Sequence, residues 1–339
     1  MPSIAASRAP ALPARLTAAL AAVLIACLAA AGAAQAAPDR WKWQWPNTDF
    51  DKTSIDLDEI FSGGPPRDGI PSIDDPQFEP VSEIVDLPDR EPVIGFAVGD
   101  DIRAYPLRIL MWHEIVNDVV GGVPVAVTFC PLCNAAVVFD RRVGGRVLEF
   151  GTTGNLRFSD LVMYDRQTES WWQQFLGEAI VGEMTGALLK FLPARIESFA
   201  RFRARAPEGK VLVPNIGSLR RYGTNPYEGY DGLSRPWLYR GKLPEGIAPL
   251  ARVVTVDNEA WSLALVRERG TITRGDIVIS WEPGQASAMD TAVIAEGFDV
   301  GNVTVQRKRA DGSLEDVVYG VDFAFAFHAF RPDAPIHTE

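Results

Sequence analysis

Val123-Pro124-Val125-Ala126-Val127-Thr128-Phe129-Cys130-Pro131-Leu132-Cys133 decides how this chain folds. A short, nearly unbroken apolar run rich in β-branched residues reads as a buried strand, and this one leads directly into a C-x-x-C. The next residues, Asn134-Ala135-Ala136-Val137-Val138-Phe139, are again β-branched and aromatic and soon meet Gly144, so they make a poor long helix. The thiols therefore belong at a strand-to-strand or strand-to-turn corner. A thioredoxin-type site instead places its first cysteine at a helix N-terminus, where the dipole lowers the thiol pKa. A thioredoxin fold is disfavoured.

Upstream, Val93 to Val98 alternates as a strand, Gly99-Asp100-Asp101 turns, Ile102 to Tyr105 continues, and Pro106 to Val120 reads as a helix closed by Gly121-Gly122. Downstream, Ala135 to Asp140 and Arg146 to Phe150 form a plausible hairpin across Gly144-Gly145. Trp41, Trp43 and Trp45 alternate with polar residues and read as a strand. Residues 62–92, with Gly63-Gly64-Pro65-Pro66 and Asp74-Asp75-Pro76, read as an ordered irregular stretch.

The chain also echoes itself. Val93-Ile94-Gly95-Phe96-Ala97-Val98 with Ala104-Tyr105-Pro106-Leu107 resembles Val253-Val254-Thr255-Val256-Asp257 with Ala260-Trp261-Ser262-Leu263. Val125 to Pro131 matches Ile277 to Pro283, so that Cys130 and Cys133 face Glu282 and Gln285 in the second copy. The expected fold is α+β and β-rich, with two related sheet-containing halves from an internal duplication. Its divisions are a signal segment 1–36, an N-terminal extended segment 37–92 covering the core, a first half 93–240 carrying the C-x-x-C, and a second half 241–339 that has lost it.

Residues 1–36 carry a basic start at Arg8 and Arg15, an Ala/Leu-rich stretch, and Ala34-Gln35-Ala36 as a cleavage site. Export, to a periplasm, is the expectation. The alternatives are a retained membrane anchor or a lipoprotein modified at Cys27; only these imply a membrane partner. Removing Arg8 and Arg15 takes the formal charge from −11 to about −13, which argues against nucleic acid or anionic lipid as partner.

Outside that segment Cys130 and Cys133 are the only cysteines. In an oxidising compartment the plain reading is a structural disulfide. A four-residue ring gains only roughly 2 kcal/mol, against nearly 5 for a loop of about a hundred residues, so a staple here does little for a core this large. Two chemical readings remain. In one, the pair cycles between dithiol and disulfide, with His113 as thiolate stabiliser or proton shuttle and a disulfide-bearing or small-molecule substrate. In the other, Cys130, Cys133, His113 and His328 hold copper or zinc. A partner-binding module with a structural C-x-x-C is the third possibility.

His113-Glu114-Ile115-Val116-Asn117-Asp118 has the start of the zinc-protease pattern H-E-x-x-H but Asn117 at the second histidine's place, which removes that reading. On a helix His113 and Asn117 share a face. Glu114, Asn117 and Asp118 are supporting candidates. Between Phe150 and Trp172 polar and aromatic residues crowd together, including Ser159, Asp160, Tyr164, Asp165 and Arg166. Tyr164, Asp165 and Arg166 could line the site, although an ion pair and turn is the preferred role for the last two. The loop Tyr222 to Asp231 reads as a packed surface loop.

In order along the chain, Phe50 after Pro46-Asn47-Thr48-Asp49, Asp68-Gly69-Ile70-Pro71, Ala104-Tyr105-Pro106-Leu107, Trp112 to Asp118, Cys130-Pro131-Leu132-Cys133, Val138-Phe139-Asp140-Arg141 and Leu161 to Arg166 resemble the bacterial family named domain of unknown function 3179. The resemblance runs from about Trp45 to about Pro332. Some members of that family are labelled selenoproteins, which implies redox chemistry at Cys130 and Cys133 over inert stapling. Thr153 stands where the family pattern leads one to expect Ser, a change that keeps the hydroxyl.

Overall fold

The computed structural model describes residues 40–215 and 220–339. The expected leader 1–36, with Cys27, lies outside the described residues. Among those that are described, no helix is long and apolar enough to cross a membrane. The chain divides into a unit ending at Pro46 and a unit running from Asn47 to Glu339. In the first, Trp41 to Trp45 is a turn, not the expected strand: the amides of Gln44 and Trp45 bond back to the Trp41 carbonyl at 2.9 and 3.0 Å. Alternating tryptophans misled because the backbone bonds are satisfied locally, which places Trp41 and Trp45 one turn apart.

The second unit consists of five small sheets in a propeller-like ring; strand makes up 40% of the structure and helix 15%, so the fold is β-rich. The first run of elements is β1 (Pro92–Val98), β2 (Asp101–Pro106), α1 (Leu107–His113), β3 (Ile115–Val120), β4 (Val123–Cys130) and β5 (Ala135–Asp140). Then comes β6 (Phe150–Arg157), β7 (Asp160–Asp165), β8 (Trp171–Gln173) and β9 (Glu178–Val181), a sheet of its own, edged by Ile60–Ser62. The run closes with β10 (Lys190–Leu192), β11 (Arg195–Ser198), α2 (Phe199–Arg205) and β12 (Lys210–Val213). The second run is β13 (Arg252–Val256), β14 (Glu259–Ser262), α3 (Leu263–Arg269), β15 (Thr271–Arg274), β16 (Ile277–Glu282), β17 (Asn302–Lys308), β18 (Leu314–Asp316), β19 (Gly320–Phe323), α4 (Ala324–Phe330) and β20 (Ile336–His337).

The two runs share one topology. Sheet order β11-β1-β2-β12 corresponds to β19-β13-β14-β20, and β10-β5-β4-β3 to β18-β17-β16-β15. In both, the last strand of the first sheet joins in parallel, β12 to β2 and β20 to β14. The registers agree as well: Ile94 faces Tyr105 as Val254 faces Trp261. The sheet β6–β9 has no counterpart in the second run and sits in sequence between β5 and β10.

Three local expectations change. The helix begun at Pro106 stops at His113, because Glu114 takes φ 58° and the β-branched Ile115-Val116 continue as strand. His113 and Asn117 therefore do not share a helix face. The turn Gly144-Gly145, with φ 57° and 80°, joins only Arg142–Val143 to Arg146–Val147, while β5 pairs with β4 and β10. The irregular stretch before β1 contains the short strand Gln77–Pro80 and the 3-10 turn Val81–Glu83.

Candidate functional site

β4 buries Val125, Ala126, Val127, Phe129 and Cys130 at 0–1% exposure, so its apolar run places the first thiol deep in the main core. Pro131 has φ preset for a turn and starts one 3-10 turn, Pro131–Cys133, which returns the second thiol over the first. Asn134, at φ 52°, ends the turn, and Ala135 pairs back to Cys130 at the start of β5. The Asn134 amide side chain donates to the Val321 carbonyl at 2.5 Å, which fixes the turn to β19. Both cysteines are free and buried, their sulfurs 4.0 Å apart. The Cys133 amide hydrogen-bonds to the Cys130 sulfur.

A second hairpin supplies the third group. β6 and β7 are joined by Phe158 and Ser159 at φ 53° and 66°, the two-residue turn with both central residues left-handed. It puts Asp160 at the start of β7, fully buried, with a carboxylate oxygen, Cys130 Sγ and Cys133 Sγ all within 4.8 Å of one another. Asp160 Oδ2 accepts from Gln173 Nε2 at 2.6 Å and from the Phe175 amide at 2.9 Å, whereas Oδ1 is buried with no partner other than the two thiols. The Cys130 thiol lies 3.7 Å from the Ser159 carbonyl, to which it donates.

Among the described residues, no cation is a leading influence on this cluster. Burial pushes both thiols up, Cys133 the further, and the neighbouring acids add to it. Burial likewise raises the Asp160 carboxyl to about 6, against the pull of its hydrogen bonds. Glu114, the residue just past α1, is raised to about 8 by burial and by the charge of Asp160. Non-glycine residues at positive φ are strained and concentrate at functional sites. Of the eight among the described residues, Asn134, Phe158 and Ser159 belong to these two turns and Glu114 ends α1 beside them.

The connector between the two runs closes over the pair. Tyr230 donates to the Leu132 carbonyl inside the C-x-x-C at 2.9 Å, and Ser159 Oγ donates to the Trp237 carbonyl at 2.6 Å. Tyr230 and Trp237 pack at 4.9 Å between ring centroids, and Tyr239 packs against Phe325 at 5.0 Å. Charge on Cys130 raises the hydroxyl pKa of Tyr227 and Tyr230, after burial as the main cause. The stretch read as a surface loop is a strap across the thiols.

The histidines lie elsewhere. His113 Nδ1 is 2.8 Å from the Pro71 carbonyl, so it donates there, and Nε2 accepts from the Tyr222 hydroxyl at 2.7 Å. Burial lowers its pKa and keeps it neutral. His328, half-buried on α4, is likewise outside the group of converging donors. Asn117 joins β3 to β6, its Oδ1 taking the Phe150 amide and its Nδ2 giving to the Phe150 carbonyl. Asp118 accepts from Arg103 and Tyr105. Tyr164 donates to Asp68, Asp165 accepts from Thr168 and Trp172, and Arg166 pairs with Asp74. Of the sequence candidates, the structure brings together Cys130 and Cys133, with Glu114 beside them. Asp160, thirty residues on, is the group that sequence did not assign; its one signal was an acid between two strand-like runs.

The fold and the site define a β-rich protein with a strand-end dithiol turn buried beside a carboxylate. The family model described as "Protein of unknown function (DUF3179)" matches residues 67–334, and the chain belongs to that family. No curated protein and no solved structure matches it.

Proposed function

We propose that this is an exported metal-binding protein in which Cys130, Cys133 and Asp160 hold a thiophilic ion, zinc or copper. The observation that carries the reading is the convergence of three buried donor atoms within 4.8 Å, with Asp160 Oδ1 given no hydrogen bond by any group other than the two thiols. Buried charges are normally paired or bound to metal. Zinc–sulfur bonds of about 2.3 Å give a tetrahedral S···S edge of about 3.8 Å, close to the 4.0 Å found. An ion would also supply the positive charge that these thiols otherwise lack.

A thiol/disulfide redox role is the second reading. It is favoured by the unbonded sulfurs and by Asp160, whose carboxyl at about 6 makes it a proton acceptor beside them. Against its primacy, the thiols are buried and their pKa values raised, the opposite of an activated cysteine. The matching topology of the two runs supports an internal duplication, the second copy having lost the site.

Metal content by mass spectrometry decides between the readings. Protein purified from periplasm without chelator is compared with the Cys130→Ser, Cys133→Ser double variant. About one equivalent of zinc or copper, absent from the variant, is expected. A metal-free wild type that also takes up neither ion on titration sinks the metal reading and leaves thiol exchange.

A further inference from the structure

α1 and α3 end in the same way. Glu114 and Gly270 each follow a seven-residue helix, each has positive φ, 58° and 68°, and each donates its amide to the carbonyl four residues back, at 2.7 and 2.9 Å. Each carbonyl then accepts the amide of the next-to-last residue of the following inner strand, Phe129 in β4 and Trp281 in β16, at 2.8 and 2.9 Å. The two positions are equivalent on four independent counts. In the second copy, which lacks the thiols, the place is held by glycine, which tolerates that backbone at no steric cost. The first copy puts a glutamate there, off the left-handed well at ψ −31° and 8% exposed.

Such backbone strain costs of order 1–3 kcal/mol and persists where the surroundings impose it. The fold does not impose it here, since glycine serves the same turn. The side chain is therefore what is being kept. The Glu114 carbonyl holds the amide of Phe129, the residue before Cys130, at 2.8 Å, and its charge raises the Cys130 thiol while that of Asp160 raises its own carboxyl, so it lies beside the same buried site, though its carboxylate is outside the converging three. Three donors are already in place, and a closed tetrahedral site takes four.

We infer that Glu114 is the fourth ligand, making the site a closed Cys130–Cys133–Asp160–Glu114 centre of two sulfurs and two oxygens that selects zinc over copper(I). This rests on the metal-binding reading above. Copper(I) is satisfied by thiolates alone, whereas carboxylates favour the harder zinc ion. Because the Glu114 carboxylate is outside the converging three, the inference requires its side chain to swing toward the thiols on metal entry.

The test uses the full chain carrying Glu114→Gly or Glu114→Gln. Zinc and copper(I) affinities are measured by competition with chromophoric chelators, the zinc ligand set by X-ray absorption, and metal-free stability by thermal unfolding. Glu114→Gly is expected to unfold at a higher temperature than wild type when metal-free, to bind zinc roughly 10–100-fold more weakly with one fewer protein oxygen ligand, and to bind copper(I) within about twofold of wild type. Glu114→Gln, which keeps the shape, should weaken zinc in the same direction. Wild-type zinc affinity and ligand set in both variants overturn the inference while leaving the three-donor site intact. A metal-free Glu114→Gly less stable than wild type overturns it too, by showing a structural role. A wild type that binds neither ion overturns it together with the reading beneath it.

Discussion

Glu197 and Asp322 occupy the same register in the two runs, Glu197 opposite Val93 and Asp322 opposite Val253, yet Glu197 is ion-paired with a guanidinium whereas Asp322 has only the opposing charge of Arg331 and no ion pair among the described residues. Arg205, the last residue of α2, bonds to Glu197 at 2.8 Å through Nε. The last residue of α4 is Phe330. Asp322 keeps a hydrogen bond from Thr255 at 2.8 Å, but burial drives its carboxyl up to about 7, with Asp160 adding to the rise.

Stability consequently depends on pH through Asp322. Its folded pKa lies above the unfolded value of about 3.9, so its stabilising contribution is complete below about pH 4 and is lost as pH rises toward 7. In chelator, wild type should lose about 1–4 kcal/mol over that window from this group. Asp322→Asn should match wild type near pH 4 and exceed it at pH 8. Parallel wild-type and variant stability curves in chemical denaturation from pH 4 to 8 would show that Asp322 does not titrate in this range.

Metal should stabilise the folded chain, because the donors converge only there. At free zinc about a hundredfold above the dissociation constant, the gain is about 2.7 kcal/mol. For a chain of this size that is a rise in Tm of roughly 4 °C, reversed by chelator. The Cys130→Ser, Cys133→Ser variant should show none. An equal rise in the variant would place the stabilising ion elsewhere.

What the sequence disclosed and what it hid follow from range. Val123 to Cys130 was legible as a strand because every side chain in it is buried or nearly so, and the echo of Val93 to Leu107 in Val253 to Leu263 was legible because both runs build the same strand–strand–helix corner. Asp160 was not, since its tie to the thiols passes through a separate sheet with no ligand spacing to mark it. Glu114 was read inside a helix because positive φ at a glutamate has no sequence signal; only its partner Gly270 shows what the turn requires. His113 was drawn to the thiols by chemistry alone, and its ring is instead used by Pro71 and Tyr222. The strap tyrosines act through tertiary contacts across about a hundred residues, which composition cannot express.

Asn117 should be a structural residue and not a site residue. Its amide fills the place of a strand neighbour for Phe150, with bonds of 2.9 and 2.8 Å, and also donates to Asp74 at 2.8 Å. Asn117→Ala leaves both backbone groups of Phe150 buried without these partners, at a cost of about 2–4 kcal/mol. Metal stoichiometry at 20 °C or below should stay that of wild type while denaturant midpoints fall. Loss of metal from a variant that remains folded contradicts this assignment.

Tyr230 is the clasp of the strap. Its hydroxyl holds the Leu132 carbonyl at 2.9 Å and its ring packs on Trp237 and Phe323. Tyr230→Phe keeps the packing and removes one buried hydrogen bond, so stability should drop by about 1–2 kcal/mol. A local effect should exceed the global one. Cys130 and Cys133 are 1% and 0% exposed, so a thiol reagent reaches them in metal-free protein only when the strap opens. If that opening is local, Tyr230→Phe raises the rate of modification by roughly tenfold per 1.4 kcal/mol lost from the clasp, at temperatures where no global unfolding occurs. If modification instead follows global unfolding, its rate in Tyr230→Phe and in Asn117→Ala will track their respective losses of stability. The comparison of those two variants, one at the strap and one far from it in role, tells whether the thiols are reached through a local opening over the site or only by unfolding the chain.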